Sequence, residues 1–250
     1  MGIGEAIKKG FGVAVQSFDL IFTLFAFGLA WNGVNIYYSK KISSEALAAP
    51  SPLVAILGGA FLLISIFMQG GSLAYVRDKI KTGSAGLSTF TASGIKYYLR
   101  ILLLGIVIAA IAGAFLLAAG LLTTKLQTIG IVLAVILGGI GIYLILLVFL
   151  APYIVVVDEG KAFASLSKSV TVVRKNLLLV LAVALLLVAI GFLIGLVLGL
   201  LLGLLTVVIK GVASQIVVAV LSSLVNAFLG VVVSASFMHI YLSHNTSGAK

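Results

Sequence analysis

The sequence is most informative in what it lacks. It contains no cysteine, and charged residues make up only 9% of its 250 positions. The absence of cysteine excludes disulfides, thiolate metal ligands and a cysteine nucleophile. An ordinary soluble domain has about 25% charged and about 45 to 50% apolar residues, whereas this chain is 62% hydrophobic. The composition therefore predicts an integral membrane protein.

Six apolar runs are long enough to cross a bilayer, whose core takes about 20 residues of helix. They cover approximately residues 19–38, 53–76, 99–122, 129–157, 177–208 and 213–242. None alternates as a transmembrane barrel strand does, and open sheets cannot satisfy their backbone in lipid. We expect one all-α, polytopic domain of six transmembrane helices over residues 1–250.

The sixteen cations divide unequally between the two sides of these spans. Connections after the first, third and fifth spans carry four: Lys40, Lys41, Lys125 and Lys210. The other side carries the remaining twelve, and Lys and Arg are retained on the cytoplasmic side. This bias predicts a multi-pass protein of a prokaryotic plasma membrane, with both termini cytoplasmic.

The segment 160–176 has the pattern of an amphipathic helix. Its apolar residues fall at intervals of three and four, at Phe163, Leu166, Val170, Val173 and Leu177. Ser165 and basic residues fall on the opposite face, which predicts a helix lying among anionic headgroups of the inner leaflet. The alternative is a helix packed on the protein's own loops. The residues predicted to contact headgroups are Lys161, Lys168, Arg174, Lys175, Lys96 and Arg100.

Similar spacing recurs twice, at shifts of 76 and 159 positions. The three matching segments, about 4–18, 86–98 and 160–176, each lead directly into a span. This pattern predicts three repeats, each an amphipathic helix followed by two spans. Chance similarity between apolar heptads is the alternative.

The run APYIVVVDEGKAFASLSKSVTVVRKN carries a family resemblance. With Pro152, the acidic pair Asp158 and Glu159, Gly160 and the RKN ending at Asn176, it resembles a six-span membrane domain. That domain is attached to some glycerophosphodiester phosphodiesterases and is similar to stand-alone membrane proteins of unknown function. The resemblance implies the fold alone, because the phosphodiesterase chemistry belongs to a separate soluble barrel.

The fifth span carries glycines at strict four-residue intervals, at Gly191, Gly195, Gly199 and Gly203. Such a glycine ridge lets another helix approach closely, which predicts a helix-packing surface. A flexible gating helix is the alternative.

Gln69 and Asn226 are the deepest amides in the spans. Intramembrane polar groups either hold helices together or mark a transport path, and both remain open for these two residues. Asp19 opens the first span, where the helix dipole stabilises an acid. The two histidines have no second ligand nearby, so no metal site is expected.

No catalytic motif is present: the sequence lacks GxSxG, a phosphate-binding loop and HExxH. The adjacent Asp158 and Glu159 are interpreted as caps of the helix that follows. We expect no enzyme activity and no cofactor. The net charge of +10 lies along one membrane face, so the expected partner is anionic lipid rather than nucleic acid.

Two functions are consistent with these features. The first is a non-catalytic membrane-organising or scaffold component that engages anionic inner-leaflet lipid or a partner membrane protein. The second is a small transporter or lipid-translocating protein, with a path between repeats near Gln69 and Asn226. A sealed core would favour the first function and an accessible cavity the second.

Overall fold

A computed structural model describes residues 2–39 and 52–247, and every regular element in those ranges is an α-helix. The all-α prediction is therefore confirmed. The helices are α1 (Ile3–Val15), α2 (Phe18–Ser39), α3 (Pro52–Thr82), α4 (Leu87–Val148), α5 (Ala151–Val157), α6 (Ala162–Lys175), α7 (Leu177–Val208) and α8 (Val212–Ser247). The cations Lys40 and Lys41 lie outside the described residues.

Five stretches of the described chain are long and apolar enough to cross a membrane. They are Phe18–Tyr37, Pro52–Thr82, Leu87–Val157, Leu177–Val208 and Val212–Ser243. The third has 71 residues and would be about 105 Å long if straight. That is over three times the thickness of a bilayer core, so this stretch must bend back on itself.

Gln127 is where α4 reverses. Its φ of 46° and ψ of −121° break the helix. On either side, a Cβ placed on Gly141 would lie 3.1 Å from the Phe115 ring, so residues 26 apart in sequence are in contact. The arms 87–126 and 128–148 therefore form a helical hairpin, and the five stretches contain six membrane-length helices. The turn falls between the predicted spans 99–122 and 129–157.

Two of the three predicted amphipathic helices are separate elements. α1 ends before a break at Gln16, and α6 ends at Asn176, where φ is −125°. The prediction of a separate helix at 86–98 is wrong, because the first arm of α4 runs through Arg100 without interruption. The three-unit order of helix and two spans remains, with the middle unit's first helix fused to its span.

Burial follows the repeat shifts of 76 and 159. At three repeat positions, all three residues are buried. These sets are Gly10, Ser93 and Ser169; Ala14, Tyr97 and Val173; and Ile21, Leu104 and Val180. Equivalent positions thus face the protein interior in each unit, which supports the repeats.

The buried face of α6 differs from the predicted one. Ser165 is 1% exposed and Ser169 is fully buried, whereas Phe163 is 68% exposed. Placing Ser165 on a solvated polar face was therefore wrong. The cause is close packing: the Ser169 hydroxyl donates to the Leu147 carbonyl at 2.8 Å, and only small side chains allow such an approach. The predicted apolar stripe is therefore split, because Val173 is fully buried as Ser169 is, whereas Phe163 is not.

The bundle is tightly packed at one end, which we call the charged end because Arg77, Lys96, Asp158 and Lys168 lie there. A Cβ on Gly71 would lie 2.7 Å from the Phe90 carbonyl oxygen, so α3 and α4 are nearly in backbone contact. Towards the opposite end the helices separate. In α7, the buried residues are Val180, Val183 and Leu187, all in its first third.

Candidate functional site

A carboxylate corner, Asp158 and Glu159, joins α5 to α6 at the charged end. Asp158 Oδ2 accepts hydrogen bonds from Lys168 Nζ at 2.5 Å and from the Tyr241 hydroxyl at 2.6 Å. The Tyr241 side chain is buried and belongs to α8. One carboxylate therefore links the α5–α6 corner to both α6 and α8.

Glu159 links the same corner to α4. Its Oε1 lies 2.6 Å from Lys96 Nζ and 3.1 Å from the Tyr97 hydroxyl, while Arg100 donates to its carbonyl oxygen at 2.7 Å. The hydrogen bond from Lys96, followed by that from Tyr97, lowers the pKa of Glu159. Its φ of 55° is left-handed, so interactions with α4 hold a conformation that disfavours most side chains.

Arg77 ties α3 into this network. Its Nη1 donates to the Val156 carbonyl oxygen at 2.7 Å and lies 3.2 Å from the Tyr97 hydroxyl. Its Nε pairs with Asp78 at 2.7 Å. A cation at the last carbonyls of α5 is favourable because it interacts with the negative end of the helix dipole.

The six predicted headgroup-contacting cations therefore divide into two groups. Lys96, Arg100 and Lys168 bind the carboxylate corner, whereas Lys161, Arg174 and Lys175 are exposed at the ends of α6. Interpreting Asp158 and Glu159 as helix caps was wrong. The N-cap of α6 is Lys161, without a side-chain cap, and both carboxylates bind groups from other helices or from later in α6.

The predicted glycine ridge is uncovered. A Cβ on Gly191, Gly195, Gly199 or Gly203 would meet nothing within 4 Å in the described chain. The last three of these glycines are exposed. Within one chain the ridge packs against no other helix, so its role as a packing surface remains a prediction about a second molecule.

Gln69 lies in an inner chamber between α2, α3 and α8, with a volume of about 270 Å³. Its lining combines apolar side chains of α2 with the polar residues Ser65, Gln69, Ser72, Tyr153 and Ser234. Gln69 is six residues from Tyr75, whose hydroxyl donates to Asp19 Oδ1 at 2.5 Å. Gln69 thus lies about 9 Å along α3 from Tyr75.

Asn226 lies in a middle chamber of about 420 Å³. Leu24, Phe27 and Gly230 line both the inner and middle chambers, so the two adjoin. Asn32 lines the middle chamber and an outer one of about 330 Å³. We call the three chambers together the cleft. The two sequence-predicted amides line neighbouring chambers of this cleft.

Two interactions form the walls of the cleft. Phe61 of α3 stacks on Phe27 and Trp31 of α2, with ring centroids 4.1 and 4.2 Å apart. Asn32 Nδ2 donates to the Ser223 hydroxyl at 2.8 Å, joining α2 to α8. Sequence reasoning did not assign Asn32 to a helix contact. The sequence does show polar residues in both the first and the last span. Those two spans become neighbours only in the fold, so the contact could not be read from the sequence.

The carboxamides of Gln69 and Asn226 are exposed within this cleft. Neither forms a hydrogen bond with the described part of the chain. A carboxamide left unpaired in hydrocarbon costs several kcal/mol, so both groups are suited to bind a polar molecule that enters the cleft. The side chains in the described ranges include no group of three potential metal ligands.

Comparison with known proteins identifies a family for the chain. No curated protein and no solved structure matches the chain. The match is to the model of a domain of unknown function, DUF7847, over residues 1–244. This region includes all six membrane-length helices, the carboxylate corner and the cleft. The chain therefore belongs to the DUF7847 family.

Proposed function

We propose that the protein is a non-catalytic, multi-pass membrane protein that binds a lipid in the cleft and moves it across the bilayer. The observation that carries the proposal is a row of adjoining chambers, polar on one side, that extends past Gln69 and Asn226. Their lining on α2 runs from Leu24 to Ile36, which is twelve residues or about 18 Å. The cleft therefore covers more than half of the depth of about 30 Å that a headgroup must cross.

The cleft contains the elements that lipid translocation requires. Carboxamides and hydroxyls replace the hydration of a headgroup, while Leu24, Phe27 and Met68 provide an apolar surface for acyl chains. Intramembrane charge is scarce, and a lipid cargo fits this scarcity better than an ion-coupled solute does.

The test is lipid flipping in vesicles that contain the purified full-length protein. Two lipids that carry the same fluorescent acyl chain, a phospholipid and a glycosylated diacylglycerol, are followed as an impermeant reductant bleaches the outer leaflet, and translocation of either one supports the proposal. We expect the protein to raise the bleached fraction above half and the variant carrying both Gln69→Leu and Asn226→Leu to reduce that gain. Thr23→Val is the matched control, because the Thr23 hydroxyl bonds its own helix at Asp19. No flipping above protein-free vesicles would reject translocation.

A second function is favoured by the exposed cations of α6. Lys161, Arg174 and Lys175 are free of the carboxylate corner, and Phe163 projects outward, 68% exposed. An outward aromatic side chain beside exposed cations is suited to the headgroup region of an anionic leaflet. On this proposal the charged end is cytoplasmic and organises inner-leaflet lipid or scaffolds a partner membrane protein.

Flotation with vesicles tests this surface function. A peptide of residues 160–176 should bind vesicles containing anionic lipid and be released as salt rises, because screening acts within about 8 Å at physiological ionic strength. Changing Lys161, Arg174 and Lys175 to Gln should remove most binding. Lys168→Gln is compared in the full-length protein, where Lys168 is committed to Asp158, and should change the co-purification of anionic lipid less than the triple change does. Equal binding by the triple variant would reject the proposal.

The resemblance of residues 151–176 to the membrane domain of glycerophosphodiester phosphodiesterases supports a wider family relationship. The carboxylate corner lies at the centre of that run, and its contacts with α4 and α8 depend on the overall fold. A solved structure of that domain with an equivalent corner would support the relationship, and a different helix order would reject it.

A further inference from the structure

The charge of the cleft indicates which lipids it can take. The described residues that line its three chambers include no Lys, Arg, Asp or Glu. Asp19, the acidic residue of α2, is hydrogen-bonded to Tyr75 and lines none of the three. A phosphate or ammonium group in the cleft would therefore lose its hydration without gaining an opposite charge.

The penalty for such a group is large enough to decide the ligand class. A charged side chain at the centre of a membrane helix is costly even on scales derived from insertion experiments. An uncharged hydroxyl avoids this cost if it finds donors and acceptors. Gln69 and Asn226 each offer both, and neither is bonded to the described chain.

The geometry points to a lipid whose headgroup is uncharged and bears hydroxyls, such as a diacylglycerol or a glycosylated diacylglycerol, as the ligand of the cleft. A hydroxyl group can both donate and accept a hydrogen bond, as a carboxamide can. One lipid hydroxyl and one carboxamide can therefore form two complementary hydrogen bonds. This inference rests on the proposed lipid-binding function of the cleft and specifies the ligand that it takes. It is independent of the anionic surface contacted by α6.

Gly230 provides a way to close the cleft without breaking the fold. It lies where the inner and middle chambers join, and a Cβ there would meet nothing within 4 Å. Gly230→Leu should therefore fill the space that the ligand needs. Gly195→Leu is the matched control, because Gly195 is equally open but lies on α7 and lines none of the three chambers.

Trp31 reports occupancy directly, because it is the only tryptophan in the chain and lines the middle chamber. The full-length protein in maltoside micelles is titrated with diacylglycerol or phosphatidylglycerol carrying the same brominated acyl chains, which quench indole fluorescence. We expect saturable quenching by diacylglycerol at about tenfold lower mole fraction than by phosphatidylglycerol, equivalent to about 1.4 kcal/mol. Gly230→Leu should abolish the saturable component and Gly195→Leu should retain it.

The outcomes separate this inference from the function on which it rests. Saturable quenching that is equal or stronger with phosphatidylglycerol would overturn the uncharged ligand class and leave lipid binding in place. Failure of both lipids to quench saturably, or full retention by a Gly230→Leu protein with native helix content, would overturn both. If Gly230→Leu does not fold, the variant carrying Gln69→Leu and Asn226→Leu replaces it. We expect this variant to bind diacylglycerol more weakly than the wild type. Unchanged binding would contradict the inference.

Discussion

Single carboxylates connect most of the bundle at its charged end. Asp158 and Glu159 are adjacent, yet their side chains bind different helices: Asp158 binds α6 and α8, and Glu159 binds α4. A chain with six acidic residues has thus placed two of them where three helices meet. A substitution that removes one of these carboxylates should therefore weaken the association of helices rather than alter local structure.

The first prediction concerns pH and Glu159. Its folded pKa lies below its ordinary value, so its ionised pair contributes stability above about pH 4.3 that is lost as pH falls through the folded pKa. Glu159→Gln should lower the melting temperature at pH 7 in maltoside. The melting temperature of the variant should also decline less than that of the wild type between about pH 5 and pH 3, so that the two proteins melt at similar temperatures in acid.

Glu5→Gln is the control for this experiment. Glu5 also has a lowered pKa, caused first by its hydrogen bond with Lys9, but that pair lies within α1 and joins no two helices. The Glu5→Gln variant should therefore change the melting temperature at pH 7 less than Glu159→Gln does. Parallel pH profiles for the wild type and Glu159→Gln would contradict the role assigned to the corner.

The second prediction concerns the Tyr241 hydroxyl. Tyr241→Phe removes the 2.6 Å hydrogen bond to Asp158 and keeps the ring. Because hydrogen bonds to charged groups contribute about 1.5 to 3 kcal/mol, the free energy of unfolding in mixed micelles should fall by about that amount. Tyr143→Phe, at a side chain 41% exposed, should leave it unchanged. Equal effects of the two variants would show that the bond adds no stability.

At the scale of helices, glycine has two different uses in this fold. Gly71 and Gly94 lie at the contact of α3 with α4, where added Cβ atoms would be 2.7 and 2.5 Å from the nearest atoms. The ridge on α7 has open space around it. Spacing in the sequence indicates the regular ridge and misses the irregular contact. Only the distances in the fold distinguish a glycine that is needed from one that is merely present.

The third prediction compares these two uses. Gly71→Ala should cost about 1 to 3 kcal/mol of unfolding free energy, because the nearest atom is the backbone oxygen of Phe90 and overpacking forces the helices apart. Gly195→Ala should cause no loss in the monomer. A loss for Gly195→Ala that grows with protein concentration would instead show that the ridge packs against a second chain.

The membrane-length helices were predictable from the sequence because the thickness of the bilayer sets the length of an apolar run. The turn at Gln127 falls in the six-residue gap between two apolar runs, where a hydropathy pattern can locate it. The buried face of α6 was not predictable. Periodicity shows that residues share a face but not which neighbour approaches it, and packing against Leu147 turned Ser165 and Ser169 inward.

The candidate site was only half predictable for a similar reason. Gln69 and Asn226 were noticeable as isolated amides in apolar runs, because desolvation makes such residues rare. The contacts of Glu159 with Lys96 and Tyr97 cross more than 60 positions. No local pattern indicates which cation pairs with which carboxylate, so three cations assigned to lipid bind the protein instead.

Across the whole molecule, packing and charge both concentrate at one end. The cations of the carboxylate corner, the tight glycine contacts and the buried tyrosines lie there, while α7 beyond Leu187 has no buried residue. A bundle held at one end and open towards the other can admit lipid between its helices while its charged end stays fixed.

The fourth prediction concerns the orientation of this asymmetric molecule. The chain has no native cysteine, so single cysteines report topology directly. Lys125→Cys, near the Gln127 turn, should react with an impermeant maleimide in intact cells, and Ser167→Cys only after permeabilisation. Ser167 is exposed, which makes it suitable where the buried Ser165 is not. The reverse pattern would place the charged end outside.

The unbroken first arm of α4 has a mechanical consequence. Its forty residues, 87–126, are about 60 Å long, twice the hydrocarbon thickness, and they contain no joint like those at Gln16 and Asn176. The arm is therefore a lever. A tilt of its membrane portion would move Lys96 and Arg100 together with the corner that they bind. Movement of this helix inside the bilayer can thus be transmitted to the membrane surface.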